Sequence, residues 1–183
     1  MIHELFKESF PPNDPTTNIK RTAINRADHV ICISESTRLD LIDLFGIPEE
    51  KVSYVHLGFE QFLPPRKEGI ARPGSGRPFL LYVSGRSGYK NFTGFLHSIA
   101  ASPKLIRDFD VIAFGGGRFL PAQRALAKQL GFRDSQVRHV TGDDSLLGFY
   151  YEQARAFVYP SLYEGFGLPP LEAAKHNLPS IVS

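Results

Sequence analysis

The residues best suited to chemistry lie in a glycine- and proline-rich segment, residues 160–172, with the sequence PSLYEGFGLPPLE. Its two carboxylates, Glu164 and Glu172, are separated by seven residues. The paired prolines suit the first turn of a helix, and Gly165 and Gly167 allow the preceding backbone to turn its amides towards an anion. Carboxylates are poor phosphate ligands but good acceptors for sugar and ribose hydroxyls. The segment therefore predicts an anion-facing helix start flanked by hydroxyl-binding carboxylates, the alternative being plain helix-N-terminal charges.

A second loop, residues 84–91 with the sequence SGRSGYKN, brings two cations to one place. Arg86 offers a planar fork of donors and Lys90 a point charge, and the glycines between them let the backbone approach a ligand. A departing diphosphate needs such a pair, because its charge must be neutralised as it leaves. The alternative is two solvated surface cations.

Other kinds of site are not indicated. Three consecutive glycines at 115–117 lack the G-x-G-x-x-G spacing, so we predict a tight turn there and no nicotinamide site. The single cysteine, Cys32, lies in an apolar run and is interpreted as a small buried core residue. No metal site is predicted, because none of the six histidines has a second ligand at a usable spacing; they are His3, His29, His56, His97, His139 and His176.

Strands that alternate with helices must position these loops. Strands are predicted at 30–34, 51–57, 79–84, 109–114, 136–140, 156–159 and from 180 onward. Helices are predicted after the first strand and at 91–101, 120–130, 145–155 and 169–176. This order predicts an α/β fold with a parallel sheet and helices on both faces. Ligands bind beyond the carboxyl ends of such strands, which selects the loops 85–90, 115–118, 141–144 and 160–170.

The first helix has clear end signals. Ser34 or Ser36 can cap its start, and Gly46 ends it. An apolar stripe is expected from Leu39, Ile42 and Phe45. The strand at 30–34 is rich in β-branched residues and predicted to be buried.

Composition limits the function classes. The 183 residues are 42% hydrophobic and 22% charged, with a net charge of +2, which favours a globular domain and gives no sign of nucleic-acid binding. The apolar stretches are strand-sized and no signal peptide is found, so we predict a cytoplasmic protein.

A proline- and glycine-rich break at 60–78 predicts a domain boundary. Both ends of the chain favour a fragment.

Together these motifs resemble the retaining glycosyltransferases of the GT-B fold, in family 4, which includes bacterial mannosyltransferases. The resemblance rests on PSLYEGFGLPPLEA at 160–173, on the 84–91 loop and on ADHVICISES at 27–36. That fold has two Rossmann-like domains with the active site in the cleft between them. The resemblance implies an acceptor-side remnant at 1–62, a linker at 63–78 and a truncated donor-binding domain at 79–183.

The resemblance also implies roles at the reacting end of a nucleotide-sugar donor. Arg86 and Lys90 would hold the diphosphate and stabilise it as the leaving group. Glu164 would contact the hydroxyls of the transferred sugar and would be the third catalytic residue. The backbone of the segment after it would face the sugar and the distal phosphate, through Gly165, Phe166, Gly167 and Leu168.

At the nucleoside end, the resemblance implies that Glu172 binds the ribose hydroxyls and that the base lies near Val140 and the turn at 141–142. No metal and no other cofactor are expected, since the two cations do the ion's electrostatic work. His3 is not expected to replace the active-site histidine of the family's first domain.

The implied function is transfer of a hexose, with mannose favoured, from GDP-mannose or a UDP-sugar to a saccharide or lipid-linked acceptor. Configuration would be retained, and the product would serve cell-surface polysaccharide or lipopolysaccharide assembly. We expect the fragment alone to hold the donor without transferring it. The oligomeric state and a peripheral membrane association of a full-length protein stay open. The alternatives are a non-catalytic Rossmann-like nucleotide-binding or interaction module and, third, a GT-B-like epimerase acting on UDP-sugars.

Overall fold

The computed structural model describes residues 1–58, 76–86 and 88–183. Contacts divide the chain into two compact units. The first comprises Met1–Glu60 and Tyr163–Gly167, and the second comprises Gln61–Leu162 and Leu168–Ser183. Residues 63–75 of the predicted linker, like Ser87 in the cationic loop, lie outside the described residues.

The first unit is a small α/β piece. Its elements are α1 (Ile2–Leu5), α2 (Thr16–Arg26), β1 (Val30–Cys32), α3 (Glu35–Phe45) and β2 (Val52–Tyr54), with short 3-10 turns at Lys7–Ser9 and Glu49–Lys51. The two strands pair in parallel, with Val30 opposite Val52. Side chains from both strands and from α2 and α3 form its core, which consists of Ile24, Cys32, Leu41, Phe45, Ile47 and Val52. Cys32 is therefore the buried core residue that was predicted.

Three expectations for this unit were wrong in part. The strand predicted to be buried over 30–34 is shorter, and Ile31 is 66% exposed, because α2 and α3 cover only the face that carries Cys32. The strand predicted at 51–57 is shorter and forms only β2. In the described part of the chain, β2 pairs with β1 and has no second neighbouring strand. Of the predicted stripe of α3, Leu39 is exposed, whereas Phe45 is buried and Ile42 packs against the core beside Leu41.

Ser34, rather than Ser36, caps α3. The Ser34 hydroxyl accepts a hydrogen bond from the Thr37 N–H at 3.1 Å, and Gly46 ends the helix with a φ of +65°. We expect Ser34→Ala to lower the free energy of unfolding by about 1 kcal/mol, because an N–H of the first turn loses its acceptor. Ser36→Ala is the matched control and should change it by less than about 0.5 kcal/mol in urea denaturation. Equal losses in the two variants would contradict this assignment.

The second unit is a doubly wound sheet. Its strands are β3 (Phe79–Val83), β4 (Asp110–Phe114), β5 (Val137–Val140), β6 (Ala156–Tyr159) and β7 (Ser180–Val182). Its helices are α4 (Phe92–Ala100), α5 (Pro103–Asp108), α6 (Pro121–Gln129), α7 (Asp144–Gln153) and α8 (Leu168–Lys175). All strand pairs described are parallel, in the order β5-β4-β3-β6-β7. In the part of the chain that the structure describes, no helix is long and apolar enough to cross a membrane.

Alternate residues of β3, β4 and β6 enter two separate cores. In β3, Leu80 and Tyr82 pack with the apolar face of α4, whereas Phe79 and Leu81 pack with α7 and α8. A strand buried on both faces is nearly continuously apolar, as Phe79–Val83 is. The predicted parallel sheet with helices on both faces is confirmed.

The strand order reverses between β3 and β6. From β3 the chain winds outward through β4 to β5, then returns to place β6 on the other side of β3, with Leu80 opposite Ala156. Loops that leave two such strands diverge to opposite faces and open a crevice at the carboxyl edge. The loop after β3 is the one that carries Arg86 and Lys90.

Candidate functional site

Lys90 lies where the strand order reverses. Its Nζ is 5.1 Å from the ring centroid of Tyr89 and 6.0 Å from that of Tyr159, the last residue of β6. The Leu162 N–H donates to the Tyr89 carbonyl at 2.8 Å, which ties the loop after β3 to the chain leaving β6. The lysine ammonium is thus held at the mouth of the crevice, in contact with residues from both sides of the reversal.

Tyr82 holds the base of the same loop. This buried β3 tyrosine donates a short hydrogen bond to the Gly85 carbonyl, and its hydroxyl is 3.3 Å from the Lys90 carbonyl. A buried tyrosine usually finds a partner for its hydroxyl. Here the partners are the two ends of the cationic loop, so the loop is fixed from the sheet below.

Arg86 is directed at backbone carbonyls. It is 9% exposed, and its guanidinium donates to the Gly115 carbonyl at 2.7 Å and, in a shorter bond, to the Gly117 carbonyl. Its Cζ lies 4.9 Å from the centroid of the Phe119 ring. Burial lowers the pKa of Arg86. Both terminal nitrogens are therefore engaged, and the buried Nε has no hydrogen-bond partner among the described residues.

The glycine run at 115–117 is shaped around that guanidinium. Gly115 and Gly116 have φ values of +79° and +64°, which disfavour other residue types. A Cβ on Gly116 would lie 3.0 Å from the Arg86 Nη1 and 3.3 Å from the Gly85 Cα. The tight turn expected here is present, and it brings the loop after β4 against the loop after β3.

Val140, the residue assigned to the base, ends β5. It is half-buried, and its carbonyl accepts the Gly115 N–H at 2.9 Å. An open groove of about 560 Å³ runs along β5 and α6, with Phe119 and His139 in its wall and Arg124 and Lys128 on its helical side. We refer to it as the β5 groove.

Glu172 lies just after the first turn of α8, because the helix begins at Leu168, one residue earlier than predicted, and takes both prolines into its first turn. Its Oε2 accepts a hydrogen bond from the Tyr151 hydroxyl at 2.8 Å. Burial raises the pKa of Glu172, the Tyr151 hydrogen bond opposes that rise, and the charge of Asp144 adds to it. The carboxylate is thus held in a defined position in the second unit.

The segment Tyr163–Gly167 makes its contacts within the first unit. The Tyr163 hydroxyl donates a short hydrogen bond to Asp40, and burial raises its pKa. The Thr37 hydroxyl donates to the Gly165 carbonyl at 3.3 Å. A Cβ on Gly165 would lie 3.3 Å from that hydroxyl oxygen, so a larger residue would require the Thr37 side chain to shift by a few tenths of an ångström.

The candidate residues therefore divide between the two units. The first unit contains Glu164, Gly165, Phe166 and Gly167, and the second contains Arg86, Lys90, Val140, Leu168 and Glu172. Sequence reasoning missed the residues that hold them, Asp40, Tyr82 and Tyr151. The signal available for the two tyrosines was an aromatic hydroxyl in a buried element, which requires a partner. Among the described residues, no cluster of His, Cys, Asp and Glu could hold a metal ion.

Two family profiles match the sequence. Residues 66–183 match the family described as "Glycosyl transferases group 1", and residues 1–60 match "Glycosyltransferase Family 4". The chain is 27% identical over 169 residues to O-antigen chain mannosyltransferase B of Escherichia coli, a match that covers 88% of this chain and 44% of the relative. It is 25% identical over 165 residues to O-antigen chain mannosyltransferase RfbU of Salmonella typhimurium, covering 89% and 44%.

Solved structures show the same fold. Sucrose-phosphate synthase from Thermosynechococcus elongatus superposes with a TM-score of 0.73 at 23% identity, covering 92% of this chain and 44% of that one. The pneumococcal O-GlcNAc transferase GtfA, in complex with UDP and GlcNAc, superposes with a TM-score of 0.68 at 18% identity, covering 92% and 32%. The chain spans less than half the length of these relatives.

Proposed function

This chain belongs to the group 1 glycosyltransferases, and from that premise we propose that its second unit holds the diphosphate and nucleoside of a nucleotide-sugar donor. The whole reaction would transfer a hexose to a saccharide or lipid-linked acceptor with retention of configuration. Mannose is favoured because the O-antigen mannosyltransferases of two bacteria are similar over most of this chain.

The observation that carries the proposal is the position of Lys90. Its ammonium lies against Tyr159 at the reversal between β3 and β6, where doubly wound sheets bind ligands. A lysine ammonium is a compact point charge that suits a phosphate. The same loop supplies Arg86 as a second cation, 91% buried and therefore in a setting where electrostatic attraction is weakly screened.

The chemistry follows from charge. As the bond from the anomeric carbon to the diphosphate oxygen breaks, negative charge grows on the leaving diphosphate, and fixed cations lower that barrier. Lys90 and Arg86 would supply this stabilisation, the work that a bound metal does in other transferases. Glu164 would accept hydrogen bonds from the sugar hydroxyls. The incoming hydroxyl would attack the face from which the diphosphate leaves, and the leaving phosphate oxygen would take its proton.

A non-catalytic nucleotide-binding or interaction module is the second candidate, and one observation favours it. Both terminal nitrogens of Arg86 are engaged by the carbonyls of Gly115 and Gly117. An arginine that keeps those bonds when a ligand is present organises the loop and leaves only Lys90 for the diphosphate. Such a protein could bind a nucleotide without accelerating a transfer.

Calorimetric titration of the folded chain with GDP, UDP, ADP and GDP-mannose tests the proposal. We expect one nucleoside diphosphate to bind with a dissociation constant in the micromolar to millimolar range, and its monophosphate to bind more weakly, because the second phosphate meets the cations. If GDP-mannose competes with GDP, mannose is supported. Absence of binding by every nucleotide, with the fold verified by circular dichroism, would overturn the proposal.

A further inference from the structure

We propose that Tyr151 is a positioning residue for ribose recognition, fixing the Glu172 carboxylate so that one oxygen is held by the tyrosine and the other is presented to the ribose hydroxyls. The inference rests on the proposed nucleotide site and adds to it a residue that does not itself touch the ligand. Both side chains belong to the second unit.

The tyrosine ring is held firmly. Tyr151 is 1% exposed and lies in α7. Its ring stacks on His176 at 5.5 Å and an interplanar angle of 14°, and meets the edge of Phe157 in β6 at 5.7 Å. Packing from a strand and from the residue after α8 holds the hydroxyl 2.8 Å from the Glu172 Oε2. The hydroxyl that donates to Glu172 is thus fixed by elements outside the loop that would bind a nucleotide.

The carboxylate needs such a partner. A glutamate side chain in a helix has several rotamers of similar energy, and ordering it on binding costs conformational entropy. The Tyr151 hydrogen bond selects one of them before a ligand arrives. It occupies one lone pair of Oε2, and an ionised carboxylate offers about four such sites. Enough acceptor capacity remains for two neighbouring hydroxyls.

The same hydrogen bond favours the charged form of Glu172. Burial and the nearby Asp144 raise the pKa of this carboxyl, and the Tyr151 hydroxyl lowers it. A protonated carboxyl would present a donor and one weaker acceptor, whereas the ionised form accepts only. Tyr151 and Asp144 therefore both set the fraction of Glu172 that is ionised. Because only the ionised carboxylate accepts at both oxygens, the affinity for a ribose-bearing ligand should fall on acidification as Glu172 takes up a proton.

The test compares GDP, UDP and ADP with their 2′,3′-dideoxy counterparts by calorimetry, in the wild-type chain and in Tyr151→Phe. We expect the wild type to bind the ribose form roughly 10- to 100-fold more tightly than the dideoxy form, because hydrogen bonds to a carboxylate are lost. In Tyr151→Phe this ratio should fall to less than about threefold, and affinity for the dideoxy form should be unchanged. Tyr150→Phe is the matched control, since it removes a hydroxyl from the same helix without touching Glu172.

The pH profile separates positioning from a merely structural role. In Tyr151→Phe the affinity for the ribose form should be lost at a higher pH than in the wild type, because the ionised carboxylate has lost its donor. Glu172→Gln should remove that pH dependence. An unchanged ribose-to-dideoxy ratio and pH midpoint in Tyr151→Phe would overturn the inference and leave the proposed function standing.

Glu172→Asp provides a second route should Tyr151→Phe fail to fold. It keeps the charge and the tyrosine ring but draws the carboxylate back by one methylene, so it cannot reach both the hydroxyl and the ribose. We expect the same loss of discrimination, and full discrimination in this variant would also overturn the inference. If the wild type binds none of the nucleotides, the proposed function fails, and this inference with it.

Discussion

Replacement of Arg86 by alanine is expected to weaken nucleoside diphosphate binding by about 100-fold, the equivalent of one or two charge-assisted hydrogen bonds. The same change removes the donor to the Gly115 and Gly117 carbonyls, so the free energy of unfolding should also fall by about 2 kcal/mol. Calorimetry gives the first quantity and urea denaturation the second.

Arg107→Ala is the control, because that guanidinium is exposed and, among the side chains of the described residues, pairs with Asp108 alone. It should alter the affinity by less than twofold. Arg86→Lys keeps the charge but loses the fork, and should bind the ligand with intermediate strength. A stability loss in Arg86→Ala without any change in affinity would mean that this arginine only organises the glycine loop. That result would favour the non-catalytic module.

The second large effect is expected at Asp110, at the start of β4. Its carboxylate is fully buried and bonds the Arg77 Nη2 at 2.5 Å, with the Arg138 Nη2 at 3.8 Å. Asp110→Ala leaves two guanidinium groups without their buried counter-charge. The free energy of unfolding should therefore fall by about 3 kcal/mol or more, measured by urea denaturation.

Asp108→Ala is the matched control two residues away, on the surface. Its carboxylate pairs with Arg107 in solvent, where such pairs contribute little, so the free energy of unfolding should be nearly unchanged. Similar losses at the two positions would contradict the view that Asp110 anchors the amino-terminal edge of the sheet. Nucleotide affinity of folded Asp110→Ala should be unchanged, because this edge lies opposite the crevice.

The second unit could be predicted closely because its local signals agree. Apolar runs such as Phe79–Val83 are buried on both faces, and glycines or prolines separate them from the helices. The first unit was harder. The α2 sequence TTNIKRTAINR contains poor helix formers and buries only Ile24, so no apolar stripe marked it. The six-residue α5 is too short for periodicity to reveal.

The candidate site shows a similar division. Residue type, together with the rule that ligands bind beyond the carboxyl ends of parallel strands, predicted Arg86, Lys90 and Glu172 as site residues. Their partners depend on tertiary packing, and no local pattern could supply them. Tyr151 meets a carboxylate 21 residues away, and Arg86 meets carbonyls 29 and 31 residues away. A sequence indicates that a buried hydroxyl or guanidinium needs a partner, but the fold chooses which one.

Hydrogen–deuterium exchange with and without saturating GDP, UDP or ADP would show where on the chain the nucleotide binds. We expect slower exchange in the loop at 84–91, at residues 160–162 and in the first turn of α8, with the amino-terminal edge of the sheet unchanged. Protection confined to the β5 groove, around Arg124 and Lys128, would contradict a donor site at the strand-order reversal.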